Sequence, residues 1–494
     1  MDMKSREFNL DKEANFSEWY NTIIYAAELA DVRYNVKGFV VNRPWAMMSF
    51  KKIYALFEKE LEDDGHLPIL FPTVIPEENL EKEKQHVEGF APEVLWVTKA
   101  GNENLERPLA LRPTSETAFY QMYKLWISSF KDLPYKLYQS CSVFRNEKET
   151  NPFLRGVEFL WIETHNCYAT ADDALAQTRK DGEIMRSVVS GAMGIEFLQF
   201  ERPKWDTFPG AQATFAYDCL LPDGKILQFG STHYLAQNFT KAFGVEYLTA
   251  DGKHDFPHST CFGPGIWRMM AALAGVHGDN KGLIFPFAVA PVQAAVIPIF
   301  RKDDEKNAVL EYCAKIVAEL KQAGISAVLD GSDKSPGFKY NYWELKGVPV
   351  RIEVGPREAK EGNITLARRT CKDKIQAAAV DAVKAVREQG ALVTKELRER
   401  SGAKLKESVK DAANLDEVKA VLDGKGIARA RFCSLGMEGK PCADALKDAT
   451  KGGKVRGKRM DGSETAGETA NGGNGNCVVC GKPSSQVTYI ARQY

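Results

Sequence analysis

Residues 141–165 read CSVFRNEKETNPFLRGVEFLWIETH, and this stretch decides the fold. Two apolar runs, 137–144 and 157–162, flank a polar turn at 148–151 that Pro152 closes, which predicts a hairpin. Arg145 follows the first run and Arg155 precedes the second, so their guanidinium groups stand at the two ends of the loop. Arginine there pairs bidentately with phosphate oxygens in a geometry that lysine does not reproduce. Phe159 offers a flat face beside those cations, suited to a base or nucleotide ring. The second run continues through Trp161 to Glu163 and His165. Taken alone, the segment also reads as an exposed hairpin with ordinary surface charges.

The chain has 494 residues, more than one core accommodates, so about two to four domains are expected. Lys plus Arg equals Asp plus Glu at 66 each, so a nucleic-acid partner would be met by a local basic patch and not by overall charge. The first residues contain no apolar run of the secretory kind, and no stretch reaches about 18 uninterrupted apolar residues. The expectation is a soluble, cytoplasmic protein without a membrane span. Six of the ten cysteines are scattered before residue 372, and four gather near the C-terminus. In such a chain that clustering points to metal rather than disulfides.

Outward from the hairpin, helical spacing predicts helices over 7–34 and 46–63, with Arg43-Pro44 between them and Gly65 as a stop. HLPILFPTVIP (66–76) reads as a proline-interrupted strand that belongs at an edge or an interface. A turn is expected at 88–92 and a strand at 108–112. Thr114 or Ser115 is expected to cap a helix reaching about residue 130. After the hairpin come a helix at 171–193, strands at 213–221 and 225–229, a helix at 233–242, and a glycine-rich strand-to-helix turn, CFGPGIWR (261–268). Hairpin links predict a largely antiparallel sheet for 65–265. From residue 293 an alternating α/β unit of about 100 residues begins. A helical stretch over 372–423 joins it to a tail whose Gly/Ser/Glu-rich segment, 452–476, reads as disordered.

In this order, the proline-bearing strand, the Arg-turn-Arg-Phe hairpin and the turn leading to Arg268 resemble motifs 1, 2 and 3 of the class II aminoacyl-tRNA synthetases. LRPTSE, FRNE with FLRGVEFLW, and GSTHYLAQNF are similar to the prolyl-tRNA synthetase family. HGDNKGL resembles the end of its catalytic core, and EVGPREAKEGNITLARR its anticodon-binding domain. The resemblance implies a mixed α/β (α+β) chain with a class II antiparallel-sheet catalytic domain at 1–288, an α/β anticodon-binding domain at 289–390 and a small α/β zinc-binding domain at 391–494. It implies a ligase that activates L-proline with ATP, magnesium on the phosphates, and then charges tRNA(Pro). It also implies a homodimer built through residues 65–76.

By the same resemblance, Arg145 takes the α-phosphate and the amino-acid carboxylate. Glu147, Arg155 and Gly156 hold the nucleotide, Phe159 stacks on adenine, and Gln228 and Ser231 lie on the ATP side. Arg268 covers the other adenine face and reaches the γ-phosphate. Thr114 and Glu116 meet the imino group, and Trp161, Glu163, His165, Phe208 and His233 form the pocket wall. Glu353, Pro356, Arg357, Arg368 and Arg369 resemble the surface that reads the anticodon. In the tail, CVVCG (477–481) is a good zinc knuckle half-site, while Cys433 and Cys442 are spaced more widely than usual. Archaeal and eukaryote-like prolyl enzymes carry a zinc domain here, which implies Cys433, Cys442, Cys477 and Cys480 as its ligands. Tyr494 matches a family tyrosine whose carboxylate is directed towards the active site. Two departures stand out: Pro264 and Trp267 replace smaller or hydroxylated residues, and Asp218 stands where Glu is commoner. About 60 residues separate Cys167 from Gln228, too few for an inserted editing domain. Two other readings are a threonyl or seryl relative, disfavoured by TSE and the tail, and an inactive paralogue, which Arg145 and Arg268 argue against.

Overall fold

The computed structural model describes residue 8 and residues 10–80, 94–300, 303–460 and 475–494. The turn expected at 88–92 lies outside them, as does most of the segment expected to be disordered. Helix α1, Phe16–Ala26, is shorter than the predicted 7–34. Asn15 caps it by accepting from the Glu18 N–H (3.2 Å), and Glu28 at φ 58° turns the chain out of helical geometry. Helix α2, Pro44–Asp63, takes its proline at the first turn, where no amide is missed, and Gly65 follows at φ 82°. Phe16, Trp19, Ile23, Phe50, Ile53 and Phe57 bury one face of each helix in the main core.

The central sheet starts with β1, Leu67–Pro68, which pairs in parallel with β2, Tyr135–Phe144. Between them lies α3, Glu116–Trp126. Strand β2 pairs along its length with β3, Glu158–Tyr168, from Tyr135↔Cys167 to Phe144↔Glu158, so the expected hairpin is real and longer than predicted. Helix α4, Ala171–Met185, continues into a wider turn at Arg186–Ala192. Strands β4 (Leu198–Glu201), β5 (Ala213–Leu220) and β6 (Lys225–Ala236) follow. The helix predicted at 233–242 is corrected: β6 runs through His233, and only α5, Asn238–Phe243, is helical. Pairing with β5 on one side and β7, His258–Pro264, on the other outweighs local preference. Helix α6, Ile266–His277, leaves β7 through Gly265 and carries Arg268.

The second unit is a five-stranded sheet. Its strands are β8 (Ala294–Pro298), β9 (Ala327–Leu329), β10 (Val350–Val354), β11 (Asn363–Arg368) and β12 (Lys374–Ala378), in the order β9-β8-β10-β11-β12. It is covered by α7 (Asp303–Gln322), α8 (Pro336–Leu345) and α9 (Pro356–Glu361). The helix predicted over 372–423 is corrected too. It divides into β12, α10 (Ala382–Ser408), β13 (Val409–Ala412) and α11 (Leu415–Asp423). Lysine- and alanine-rich composition favours helix locally, but pairing with β11 draws Lys374–Ala378 into the sheet. Helix α10 crosses residue 390, where a domain boundary was expected.

The tail adds β14 (Ile427–Arg431), α12 (Lys440–Ala449), β15 (Lys454–Arg459) and β16 (Val487–Gln493). These strands extend the central sheet, whose order is β13-β14-β16-β15-β4-β5-β6-β7-β3-β2-β1. Strand β15 pairs with β4 (Lys458↔Glu201), and β16 also touches β6 (Lys225↔Arg492). Asp218 pins this junction. Both its oxygens accept from Arg202 Nη2 (2.9 and 3.0 Å), and Oδ2 accepts from Arg456 Nε (3.0 Å). All three residues are buried. Burial opposes ionisation of Asp218, but Arg202 and Arg456 outweigh it and hold its carboxyl below the ordinary 3.8.

Asp218→Ala strands two buried guanidiniums and is expected to cost about 3–5 kcal/mol by chemical denaturation. Because the folded pKa is depressed, the carboxylate's contribution is present above the unfolded value. It is lost as pH falls through the folded value, so the wild-type advantage shrinks in acid. A wild-type-like midpoint for the variant at neutral pH would contradict this account.

Candidate active site

The residue set from the sequence converges on one cleft of about 760 Å³ on the central sheet. One side of it is cationic. Arg145 donates from Nε to Pro113 O (3.3 Å), and its guanidinium lies 5.3 Å from the Phe159 ring and 5.7 Å from that of Trp161. Arg268 donates to Leu154 O (3.0 Å) and Gln228 O (2.9 Å). Burial first, then Arg145 and Arg155, pull its pKa down to about 10, so it stays charged at neutral pH. Arg155 pairs with Glu147 at 3.3 Å in a half-exposed contact. Backbone carbonyls fix two of the three arginines in place without neutralising them, and that arrangement attracts a polyanion.

Glycines bring the walls close. A Cβ on Gly156 would stand 2.7 Å from Trp267, and one on Gly263 would stand 2.4 Å from Trp161. The unusual Trp267 is thus accommodated by Gly156, and its indole N–H donates to Asn42 (2.8 Å).

The other end of the cleft combines aromatic rings with buried, mutually hydrogen-bonded polar groups. Buried Glu163 accepts from Ser115 Oγ (2.6 Å), Gln139 Nε2 (2.8 Å) and Thr114 Oγ1 (3.2 Å). Its carboxyl is held low by His165, Ser115 and Gln139 against the opposing effect of burial. Ser115 does occupy the N-cap of α3, but its hydroxyl goes to Glu163 and makes no cap bond. Glu163 therefore shapes the Thr114–Glu116 loop. Thr114 donates to Glu116 at 2.5 Å. His233 contacts Thr214 Oγ1 (2.9 Å) and Ser231 Oγ (3.0 Å), and its ring lies 4.7 Å from that of Phe208. Burial, then Arg145 and His165, lower its pKa to about 3, so it is neutral at physiological pH. Gln228 accepts from Arg202 (2.9 Å).

The structure also brings in residues the sequence reading missed. Arg202, Trp205 and Asp206 line the cleft from the loop after β4, and Cys261 lines it from β7. Their signal is register and not motif. Tyr494 is held at the far end of β6, where its hydroxyl donates to Asp223 (2.5 Å) and its ring lies 4.8 Å from Lys225 Nζ.

The charged anticodon candidates are not equally placed. Arg357 on α9 is largely exposed and pairs with Glu361 at 3.0 Å. Glu353 is buried against Arg351 (3.0 Å) and Lys374 (2.7 Å). Arg368 contacts Gln389 and Glu396, and Arg369 turns to Asp279 (2.5 Å) at the edge of the first unit. The sulfur atoms of Cys433, Cys442, Cys477 and Cys480 lie within 4.8 Å of one another. Residues 477–482 make the tight knuckle turn, with Cys477 N to Lys482 O (2.8 Å) and Gly481 N to Cys477 O (3.0 Å). Four thiols from three separate segments match the donor set of a closed tetrahedral metal site.

An antiparallel sheet carrying an Arg-turn-Arg hairpin, with a helical arginine facing the same cleft, is a class II aminoacyl-tRNA synthetase core. Family models agree. "tRNA synthetase class II core domain (G, H, P, S and T)" matches residues 96–277, "Anticodon binding domain" 293–389, and "Prolyl-tRNA synthetase, C-terminal" 415–494. The Proline–tRNA ligase of Thermofilum pendens is 49% identical over 493 residues, covering 100% of both chains. That of Pyrococcus abyssi is 39% identical over 97% of this chain and 98% of its own. Among solved structures, Giardia lamblia prolyl-tRNA synthetase in complex with prolyl-adenylate superposes with a TM-score of 0.92 at 36% identity, covering 99% of this chain and 100% of the other. The Cryptosporidium parvum enzyme complexed with halofuginone and AMPPNP gives 0.90 at 30%, covering 99% of each. The chain belongs to the prolyl-tRNA synthetase family, the class II ligases that join proline to tRNA. No domain is inserted between Cys167 and Gln228, where α4, β4 and β5 fill the described chain.

Gly156→Ala drives a methyl group into Trp267 and is expected to cost about 1–3 kcal/mol in chemical denaturation. Adding Trp267→Phe makes room and should recover part of that loss. A neutral single substitution would show that the Trp267 contact is loose.

Proposed function

We propose that the cationic half of the cleft binds ATP and the aromatic, carboxylate-bearing half binds proline, so that the amino-acid carboxylate meets the α-phosphorus between them. The observation that carries this reading is Arg145, anchored to a backbone carbonyl at the junction of the two halves. Proline's carboxylate oxygen attacks the α-phosphorus, a P–O bond forms, and pyrophosphate leaves with the electrons of the broken P–O bond. Arg145 draws the carboxylate and α-phosphate together, while Arg155 and Arg268 disperse charge on the remaining phosphates. Glu147 and Gly156 shape the nucleotide loop, Phe159 stacks on adenine, and Gln228 and Ser231 bound the ribose side. Magnesium, when bound, screens the triphosphate. Thr114 and Glu116 receive the secondary ammonium, and Trp161, His165, Phe208 and neutral His233 enclose the ring, with Glu163 holding the loop. In the second step a tRNA(Pro) 3′-terminal hydroxyl attacks the prolyl carbonyl and AMP leaves. The relatives solved with prolyl-adenylate and AMPPNP support this division.

The same reading places the catalytic domain at 1–288, the anticodon domain at 289–390 and the tail domain at 391–494, with α10 as the rigid connector across the second boundary. Arg357, Arg368, Arg369 and Glu353 form or brace the anticodon-reading face. Leu67 and Leu70 are exposed beside the outer edge of β1, which supports homodimerisation through residues 65–76. No helix among the described residues is long and apolar enough to cross a membrane, in keeping with a cytoplasmic enzyme. Zinc is the metal that suits the four tail cysteines, where it would serve structure alone.

Amino-acid-dependent ATP–pyrophosphate exchange tests the assignment. Proline should support exchange, and Arg145→Ala should lower it by at least about 10²–10³-fold. Folded protein showing no exchange with any amino acid would overturn it. For the tail, Cys477→Ser with Cys480→Ser should lower bound zinc by about one equivalent per chain by atomic absorption, and should lower the thermal midpoint. Unchanged metal content would remove zinc from the tail.

A further inference from the structure

Cys261 and His165 are direct partners across the β7–β3 pairing. Glu116, in the first turn of α3, lies against the same pair. One donor atom from each of the three lies within 4.8 Å of the other two. His165 is 0% exposed, Glu116 3% and Cys261 5%, yet all three line the cleft, so a small ion reaches them from its mouth. His165 adds an independent sign of a missing ligand. Its Nε2 stands 3.3 Å from Glu163 Oε2, while its buried Nδ1 has no hydrogen-bond partner among the described residues. A bare polar atom at that depth is costly, and a bound ligand would offset that cost. Thiolate, imidazole and carboxylate, with a fourth position open to the cleft, suit a zinc-class cation and not magnesium.

We propose that the amino-acid pocket of the free enzyme binds one thiophilic divalent cation through Cys261, His165 and Glu116, separate from the four-cysteine site of the tail. Binding forms a metal–sulfur bond, breaks the Cys261 S–H bond and releases that proton to water. The cation and proline then exclude one another, because the metal and proline's secondary ammonium both need the Glu116 carboxylate. This exclusion rests on the reading of Thr114 and Glu116 as the imino-binding pair, whereas the metal site does not. Free zinc would thereby inhibit charging when proline is scarce.

Cobalt is the probe, titrated into full-length, chelator-stripped protein while thiolate-to-cobalt charge transfer is followed. Wild type should take two equivalents, and Cys261→Ser, which keeps the residue small, should take one. One equivalent in both proteins overturns the site. In the Cys477→Ser/Cys480→Ser protein, a remaining cobalt with a single-thiolate band supports it, and loss of all thiolate absorption from folded protein overturns it. Proline added to doubly loaded wild type should expel the second equivalent. If it stays bound, the competition and the role of Glu116 fall while the metal site stands. In exchange assays zinc should inhibit competitively with proline, and Cys261→Ser should weaken that inhibition at least about tenfold.

Discussion

Mutual repulsion among Arg145, Arg155 and Arg268 is the constraint around which this molecule is built. Three guanidiniums sharing one cleft favour an open chain unless something holds them. Backbone carbonyls at Pro113, Leu154 and Gln228, which accept hydrogen bonds but carry no charge, hold Arg145 and Arg268, and Glu147 pairs with the half-exposed Arg155. The field is left unspent for a ligand. That explains why the hairpin is long and buried behind its loop, and why Trp267 and Trp161 pack so tightly against glycines there.

Next to this field the other end of the cleft is kept quiet. Glu163 is saturated by Ser115, Gln139, Thr114 and His165, and His233 is held neutral by burial and by Arg145. A pocket so prepared presents apolar ring faces and one acceptor pair, Thr114 and Glu116, towards a small cation. The placement of Cys261 opposite His165 gives the same acceptor end a softer character than a hydroxyl would.

The tail is part of the catalytic sheet and not an appendage. Strands β15 and β16 continue it beyond β4, and the buried Arg202–Asp218–Arg456 group couples the tail to the strand that also carries Thr214 towards the cleft. Arg202 reaches Gln228 as well, so one side chain links the tail junction to the cationic side of the cleft. An aspartate suffices where a longer glutamate is commoner, because two arginines approach it from opposite chain segments.

Local pattern determined much by itself. The Arg-turn-Arg hairpin, the Gly-rich turn into α6 and the alternating α/β character of the second unit are written in short-range spacing and turn chemistry. So is the CxxCG half of the four-cysteine cluster. The tertiary structure alone decided the rest. Sheet pairing on both flanks turned His233 from a helical into a strand residue. Edge pairing pulled Lys374–Ala378 out of a helix-rich run, and the tail strands joined the central sheet. The pairing of Asp218 with Arg456 and of Cys261 with His165 joins residues far apart in the chain. Periodicity reveals which face a side chain takes, but cross-strand register and long-range ion pairs are fixed only when the whole sheet assembles.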